Sequence, residues 1–435
     1  MKRSHTQPSE RGQALVLMVL AMVALLGFTA LAVDGSMLYS DRRHAQNAAD
    51  AASLAGGGAA GKYFEINGVF WSNWSCSGSV AAAMQEAEDT AISIAAHNGF
   101  TIDDDISDNH GVKVICGEDN STSWPDRYIE IVTKLTKETS TAFVHFVYDG
   151  PAVNTVEAVT RVRPRMPLAM GHAIVALNRS GCSGNSNGVL FGGSSETWIN
   201  GGGVFSNGCL DGDGGFILNV SGDGAGIHYA GEASGMTGAN MPPVRTDPLP
   251  EDSYQVPEPD CSSLPHRTQS GSVLQPGVYD SLRLNGGSLT LNPGLYCITG
   301  ANNAIKINDG TVIAHGVTLF LTNPNSDVTI SGGVHHLSAP ERSPDPSPAI
   351  PGILIYSKAV GDVGVKLVGN GDSSYLGTIY VPRGDIDVSG GNDTYPTFNT
   401  QLIGYNVKVT GNARIDINFN GAQNYAHPPK LELYK

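Results

Sequence analysis

The chain has 435 residues, of which 15% are charged and 54 are glycine, and its formal net charge at pH 7 is −15. A net negative charge of this size disfavours nucleic acid as a partner. Little charge with frequent glycine is typical of repetitive β architectures with tight turns, and the length suggests about three domains.

The first predicted element is a transmembrane helix. Residues 13–33 hold 21 residues without a charge, which is enough helix to cross a hydrocarbon layer of about 30 Å. Lys2 and Arg11 precede this span and Asp34 follows it. The positive-inside rule therefore predicts a single-pass cell (inner) membrane protein, with residues 1–12 as a cytoplasmic tail and the bulk of the chain outside.

The helix is expected to continue as a helical extension over 34–56. Ala45, Ala48 and Ala52 recur at helical spacing, and alanine is the best helix former. A stripe of small side chains also lets another backbone come close. The run Gly56-Gly57-Gly58 is predicted to end the helix, because glycine tolerates left-handed geometry and weakens helices.

The same stretch carries a series of residues in a specific order: Gly12, Asp34, Gly35, Tyr39, Arg42, Arg43, Gln46, Asn47, Ala48, Ala49, Asp50, Ala51, Ala52, Leu54, Ala55 and Gly56. With these residues it resembles the N-terminal segment of TadG-like proteins of the Flp/Tad (tight adherence) pilus-assembly family. The resemblance implies an envelope protein whose partners are the membrane and other Flp/Tad pilus components, with the alanine face packing against their helices. Segments such as Thr246–Pro250 and Gly377–Pro382 resemble, more weakly, the C-terminal region of many TadG-like proteins.

Two processing sites stay open. Prepilins of such systems usually carry a glutamate five residues after the cleaved glycine, and Leu17 holds that position if cleavage follows Gly12. The run Ala30-Leu31-Ala32 has the small-x-small pattern of a signal-peptide site, which would place cleavage after Ala32. The helical residues that follow favour an uncleaved anchor.

Residues 57–165 are predicted to form a small α+β domain with the outline of a pilin-like domain. Val80–His97 is a second alanine-rich helix. Val112–Cys116, Tyr128–Thr133 and Val153–Val162 alternate as strands.

Residues 166–435 are predicted to form an all-β, right-handed parallel β-helix. Short alternating segments end in Gly or Asn corners, as at Ile305–Gly310, and Leu274–Tyr279 returns as the similar Leu291–Tyr296. Irregular repeats without helices suit coils that bury their inward residues against one another. A β-sandwich is the alternative, although it would have fewer and longer strands.

Two proline-rich segments interrupt this region. Residues 241–265 contain seven prolines and are interpreted as an extended crossing segment, pinned through Cys261. Residues 340–351 contain five prolines and are interpreted as an exposed loop.

The six cysteines form an even set outside the predicted membrane span, where disulfides persist if the chain is exported. The expected pairs are the sequence-local ones, Cys76–Cys116, Cys182–Cys209 and Cys261–Cys297. Free buried thiols are the alternative.

Candidate catalytic and metal-binding groups are sparse. Asp385 and Asp387 share a strand face and could serve as acid and base, but no Arg or Lys cluster flanks them in the sequence. His335-His336 is interpreted as a surface pair, and Asp211–Gly215 as half of a calcium repeat that is not iterated. We expect no catalytic residue, no metal and no cofactor.

The sequence therefore predicts a non-enzymatic, membrane-anchored envelope protein of a Flp/Tad-type pilus. It would act as a minor pilin-like protein or an assembly accessory that displays a β-helix for surface or adhesive contact. The alternative is a membrane-tethered β-helix that binds or cleaves carbohydrate, with surface polysaccharide as its partner.

Overall fold

The computed structural model of the protein describes residues 11–119, 124–144, 150–182, 188–342, 348–369, 372–390 and 397–434. Two helices come first, α1 (Arg11–Ile66) and α2 (Ser79–His97). Long strands β1 (Gly111–Asp119), β2 (Asp126–Thr139) and β3 (Ala152–Arg163) follow, and the short β4 (Met166–Pro167) leads into the second half.

The second half consists of many strands, most of which are shorter. They are β5 (Ile174–Ala176), β6 (Gly188–Gly193), β7 (Glu196–Asn200), β8 (Val204–Ser206), β9 (Cys209–Gly214), β10 (Ile217–Ser221), β11 (Ile227–Tyr229), β12 (Glu232–Ser234), β13 (Val244–Arg245), β14 (Val273–Leu274), β15 (Gly277–Tyr279), β16 (Leu282–Leu291), β17 (Gly294–Ile298), β18 (Ile305–Ala314), β19 (Val317–Leu321), β20 (Val328–Ile330), β21 (Val334–Ser338), β22 (Ile353–Ser357), β23 (Gly361–Gly369), β24 (Ser374–Val381), β25 (Gly384–Gly390), β26 (Thr397–Gly404), β27 (Val407–Gly411), β28 (Arg414–Asn418), β29 (Ala426–His427) and β30 (Lys430–Leu433).

Helix α1 is longer than predicted, because it runs through the glycines at 56–58 and continues to Ile66. Close packing accounts for two of these glycines. A Cβ on Gly56 would lie 2.6 Å from the carbonyl oxygen of Ala87 in α2, and a Cβ on Gly57 would meet side chains of β3 and β30 at 2.6–2.8 Å. The glycines let the helix approach its neighbours, so the predicted end of the helical extension was wrong.

Helices α1 and α2 pack against an antiparallel sheet with the strand order β1–β2–β3–β30. Both helices and the sheet contribute to one core, which includes Phe64, Ala83, Ile129 and Leu135. Strand β30 comes from the C-terminal end of the chain and pairs with β3, with Arg163 opposite Lys430. The sequence did not predict this strand, which brings the end of the chain back to the first sheet.

The second half is a parallel β-solenoid of about 9 turns. Ile305, Val328, Val365, Ile386 and Val407 stack in register on successive coils. The described solenoid strands pair in parallel, whereas a β-sandwich is antiparallel. The prediction of a parallel β-helix is therefore confirmed over the alternative.

The coils are not stacked in chain order. Strand β5 pairs with β8 on one side and with β26 on the other, and β6 lies likewise between β9 and β27. The chain therefore begins in the middle of the solenoid and extends to one end at β13. It resumes at the opposite end at β14 and returns coil by coil to β28, beside its starting point.

Residues 246–272, which we call the strap, connect the two ends along the outside of the solenoid. Val256 accepts a hydrogen bond from the hydroxyl of Tyr356 at 3.5 Å, and Lys358 pairs with Glu258 at 3.0 Å. A disulfide joins Cys261 of the strap to the solenoid. The strap thereby covers a second apolar core, which includes Leu249, Val256, Phe320, Tyr356 and Tyr380.

Three disulfides pair all six cysteines, as Cys76–Cys116, Cys182–Cys209 and Cys261–Cys297. These are the sequence-local pairs that the sequence suggested. The predicted loop at 340–351 falls partly outside the described residues, which omit 343–347.

Candidate functional site

The largest exposed apolar surface among the described residues lies on the first turns of α1. Its large side chains are more than half exposed from Leu15 to Leu31, including Met18 at 75% and Phe28 at 71%. The helix is long and apolar enough to cross a membrane. Water disfavours so much contiguous apolar surface, so this part of α1 fits a membrane anchor.

Asp34 ends the apolar stretch and is almost fully buried, at 3% exposure. Its carboxylate accepts hydrogen bonds from three successive backbone N–H groups, those of Ala142 (2.7 Å), Phe143 (2.9 Å) and Val144 (2.6 Å). Bonds from several N–H groups to one carboxylate are among the stronger hydrogen bonds in proteins. They tie α1 to the chain segment that follows β2.

The alanine stripe of α1 lies inside the protein. Ala45, Ala48, Ala49 and Ala52 are buried, in one core with the alanines of α2. The stripe therefore packs against this chain's own second helix and sheet. The expectation that it contacts helices of other pilus components was wrong, because α2 already occupies it.

The polar residues of the same segment divide into two groups. Gln46 donates to Asp50 at 2.8 Å, and Thr160 donates to the buried Ser53 at 3.0 Å. The other group remains exposed and consists of Gly35, Tyr39, Arg42, Arg43 and Asn47. This group, unlike the alanine stripe, is open to solvent on the extension of α1.

The remaining residues singled out in the sequence occupy α1 as well. Ala51, Leu54 and Ala55 are half-buried, and Gly56 is buried. Gly12 lies in the first turn of the helix. The predicted cytoplasmic tail lies almost entirely outside the described residues, which begin at 11.

Residues 12–60 match a family model described as "Putative Flp pilus-assembly TadE/G-like". The resemblance of the N-terminal segment is thereby confirmed, and we call residues 12–60 the TadE/G-like segment. No curated protein and no solved structure matches the chain. The weaker resemblance of the C-terminal region lies outside the matched residues and stays a prediction.

The two aspartates considered for acid–base chemistry lie in a polar groove on the solenoid. Asp385 is 7% exposed, and its Oδ1 accepts a hydrogen bond from Asn406 at 2.8 Å. Its Oδ2 has no hydrogen bond and lies 3.7 Å from the ammonium group of Lys408. Burial raises the pKa of the Asp385 carboxyl, so its charged form is disfavoured.

The sequence missed the basic residues of this groove. Lys366 lies 3.6 Å from Asp387, and Lys408 faces Asp385. Lys366, Asp387 and Lys408 occupy the same position on three successive coils. These three residues are equally spaced along the chain, and this repeat could have identified the two lysines from the sequence.

His335-His336 is not a surface pair. His335 is fully buried, with its Nδ1 at 3.2 Å from the Tyr375 hydroxyl, and His336 is half-buried beside Ser374. Burial, with a smaller contribution from the neighbouring His336, lowers the pKa of His335 to about 4. The surface prediction was wrong because His335 shares the inward face of β21 with Leu337.

A cavity of about 760 Å³ lies between the first sheet, the strap and the solenoid. Its lining includes Trp71, Trp124 and Tyr425. Arg163 in its wall is paired with Asp126 and with Glu432, each at 2.6 Å. These ion pairs already neutralise the charge of Arg163, so Arg163 does not indicate an ionic ligand in the cavity.

Metal ligands do not converge in the part of the chain that the structure describes. There, no group of three or more His, Cys, Asp or Glu residues is placed to hold a metal ion. Asp211–Gly215, considered as half of a calcium repeat, lies on β9 and the residue that follows it.

Proposed function

We propose that this protein is a non-enzymatic, membrane-anchored component of a Flp/Tad-type pilus system that displays a β-solenoid for surface or adhesive contact. It acts as a minor pilin-like protein or as an assembly accessory. The observation that carries the proposal is one unbroken helix whose TadE/G-like segment combines an exposed apolar span with a packed alanine stripe. The solenoid is attached to the sheet that packs on this helix.

The proposed orientation places the N-terminus in the cytoplasm and the solenoid outside the cell (inner) membrane. The basic residues Lys2 and Arg11 before the span support this orientation. Three disulfides in the rest of the chain support an oxidising compartment.

Removing the solenoid while keeping the sheet tests the adhesive role. Arg163 of β3 lies opposite Lys430 of β30, so residues 164–429 can be replaced by an Asn-Gly hairpin turn. We expect the shortened protein to stay in the membrane fraction and to support pilus assembly, while adhesion of the cells is lost. The full chain produced at the same level is the control. Unchanged adhesion and piliation would contradict the proposed role of the solenoid.

A second candidate function is carbohydrate binding in the solenoid groove. The observation in its favour is the buried Asp385, whose Oδ2 has no hydrogen bond and faces a groove shared with Asp387, Lys366 and Lys408. The test measures binding and sugar release by the full-length protein in detergent with a polysaccharide panel. This candidate would be rejected if the protein released no sugar and if Asp385→Asn and Asp387→Asn left its binding unchanged.

A further inference from the structure

Residues 142–144, which follow β2, are held at one particular height along α1. Asp34 is the first charged residue after the apolar span, so its carboxylate lies where the helix leaves the hydrocarbon. The three N–H groups of residues 142–144 all donate to this carboxylate. The loop at 142–144 is therefore fixed at the same height, at the membrane surface.

This loop presents apolar side chains beside the span. Phe143 is 44% exposed and Val144 is half-buried. Together with Ala24, Phe28 and Leu31 of α1 they line a pocket, and among the described residues of its lining Asp34 is the only charged one. The pocket therefore continues the exposed apolar surface of the span instead of opening among the polar residues above it.

The surroundings match the lipid interface better than water. An exposed phenylalanine next to exposed leucines forms a contiguous apolar patch, which water disfavours. Aromatic side chains are favoured at the level where hydrocarbon meets headgroups. Gly27 leaves the helix side of the pocket open, because a Cβ there would have no atom within 4 Å, and an acyl chain fits such a space.

We propose that the loop at 142–144 is a second membrane contact, which inserts Phe143 into the lipid interface while Asp34 holds the loop against α1. The inference rests on the membrane-spanning part of the proposed function. Two contacts with the bilayer, α1 and this loop, fix the orientation of the first sheet relative to the membrane surface. The solenoid attached to that sheet then projects in a defined direction.

Spin-label accessibility in nanodiscs made of lipid and the full-length chain tests the proposal. All six native cysteines are paired, so single cysteines can be labelled in the oxidised protein. Labels are placed at Phe143→Cys, at Leu20→Cys inside the span, and at Tyr39→Cys on the exposed extension. Collision with oxygen reports an apolar environment, and collision with a water-soluble nickel chelate reports an aqueous one.

We expect the labels at 20 and 143 to favour oxygen and the label at 39 to favour nickel. Adding Asp34→Ala removes the acceptor for the three N–H groups and should shift the label at 143 to nickel, with the label at 20 unchanged. If the Asp34→Ala variant does not fold, the proposal is tested by the oxygen and nickel accessibility of the label at 143 in the protein with native Asp34.

The possible failures are distinguishable. A label at 143 as aqueous as that at 39, with 20 still apolar, would overturn the loop contact and leave the anchor intact. An aqueous label at 20 would reject the membrane span and with it the proposed function.

Discussion

Two glycines in α1 illustrate how neighbours decide the role of a single residue. A Cβ on Gly56 would lie only 2.6 Å from the carbonyl oxygen of Ala87 in α2, which is too close for a real contact, whereas a Cβ on Gly58 would meet nothing within 4 Å. Glycine costs a helix about 1 kcal/mol relative to alanine. That cost is offset at Gly56 by the close approach of α2, and at Gly58 it is not.

Alanine substitution should therefore have opposite effects at these two glycines. We expect Gly56→Ala to lower the free energy of unfolding by about 1–3 kcal/mol, since the methyl group forces α1 away from α2. The matched control, Gly58→Ala, should raise it by up to about 1 kcal/mol. Denaturant unfolding of the full-length protein in detergent measures both, and equal effects at the two positions would contradict the packing explanation.

The buried His335 predicts a loss of stability in mild acid. Its pKa is about 4 in the folded protein, against about 6.5 for an unperturbed histidine. The unfolded state therefore binds a proton first as the pH falls, and the free energy of unfolding drops by up to about 3 kcal/mol between pH 6.5 and pH 4. Well above pH 6.5 both states are neutral at this residue, which then contributes no pH dependence.

Substitution by a residue that does not titrate isolates this contribution. Stability of His335→Gln should fall less steeply than that of the native protein between pH 6.5 and pH 4. His97→Gln, at an exposed histidine of α2, is the control and should keep the native slope. Parallel stability curves for His335→Gln and the native protein would argue against the buried neutral imidazole.

Residue roles were predictable from sequence where they depend on alternation along one strand. His335 shares the face of Leu337, and attention to this alternation would have placed it inside. The role of Gly57 was not predictable, because its neighbours Thr160 and Leu431 lie far away in the sequence. The partners of Asp34 at 142–144 are equally distant.

At the scale of elements, the two ends of the solenoid are closed by side-chain amides. Asn240 accepts from the N–H of Val220 and donates to its carbonyl, both at 3.0 Å. At the other end, Gln269 accepts a hydrogen bond from the N–H of Arg283 at 2.8 Å and donates to the Arg283 carbonyl at 2.7 Å. Each amide makes the backbone hydrogen bonds that a further strand would otherwise make. Without it, the open strand edge could pair with another chain.

Removing both amides should expose these edges. We expect the double variant Asn240→Ala and Gln269→Ala to associate end to end, since Val220 and Arg283 regain unpaired backbone groups. Sedimentation of the detergent-solubilised protein over a range of concentrations measures the association. Gln423→Ala, at an exposed glutamine away from the ends, is the control, and a double variant no more associated than this control would contradict the capping role.

The existence of the coils was predictable, but their order was not. Segments such as Ile305–Gly310 carry the alternation and the corner residue within themselves. The corner at Gly310 indeed has a φ of +105°, which glycine adopts readily. By contrast, the pairing of Ile174 with Leu402 joins the first and last coils, and no local pattern distinguishes it from pairing between consecutive coils.

At the scale of the whole molecule, the C-terminal strand β30 returns to the first sheet and pairs with β3 at its edge. The strap crosses the solenoid, the last coils meet the first, and β30 joins β3. The solenoid is therefore inserted between two adjacent strands of the sheet that packs on α1. A load on the solenoid would reach the membrane helix through two strands of that sheet instead of one connection.

Helix α1 runs without a break from Arg11 to Ile66. The predicted signal-peptide site after Ala32 lies within this helix, and the following Asp34 is held by the loop at 142–144. These features favour an anchor that is retained in the mature protein, whether or not the chain is cut after Gly12.

The most direct test of the anchored account is to determine the N-terminus and the location of the solenoid in sheared cells. The solenoid is detected in filament, membrane and soluble fractions after an alkaline wash, and its N-terminus is sequenced in each. We predict a membrane- or filament-associated protein whose N-terminus is Met1 or Gln13, so that it retains the apolar span. A soluble protein beginning at Val33 would contradict the account.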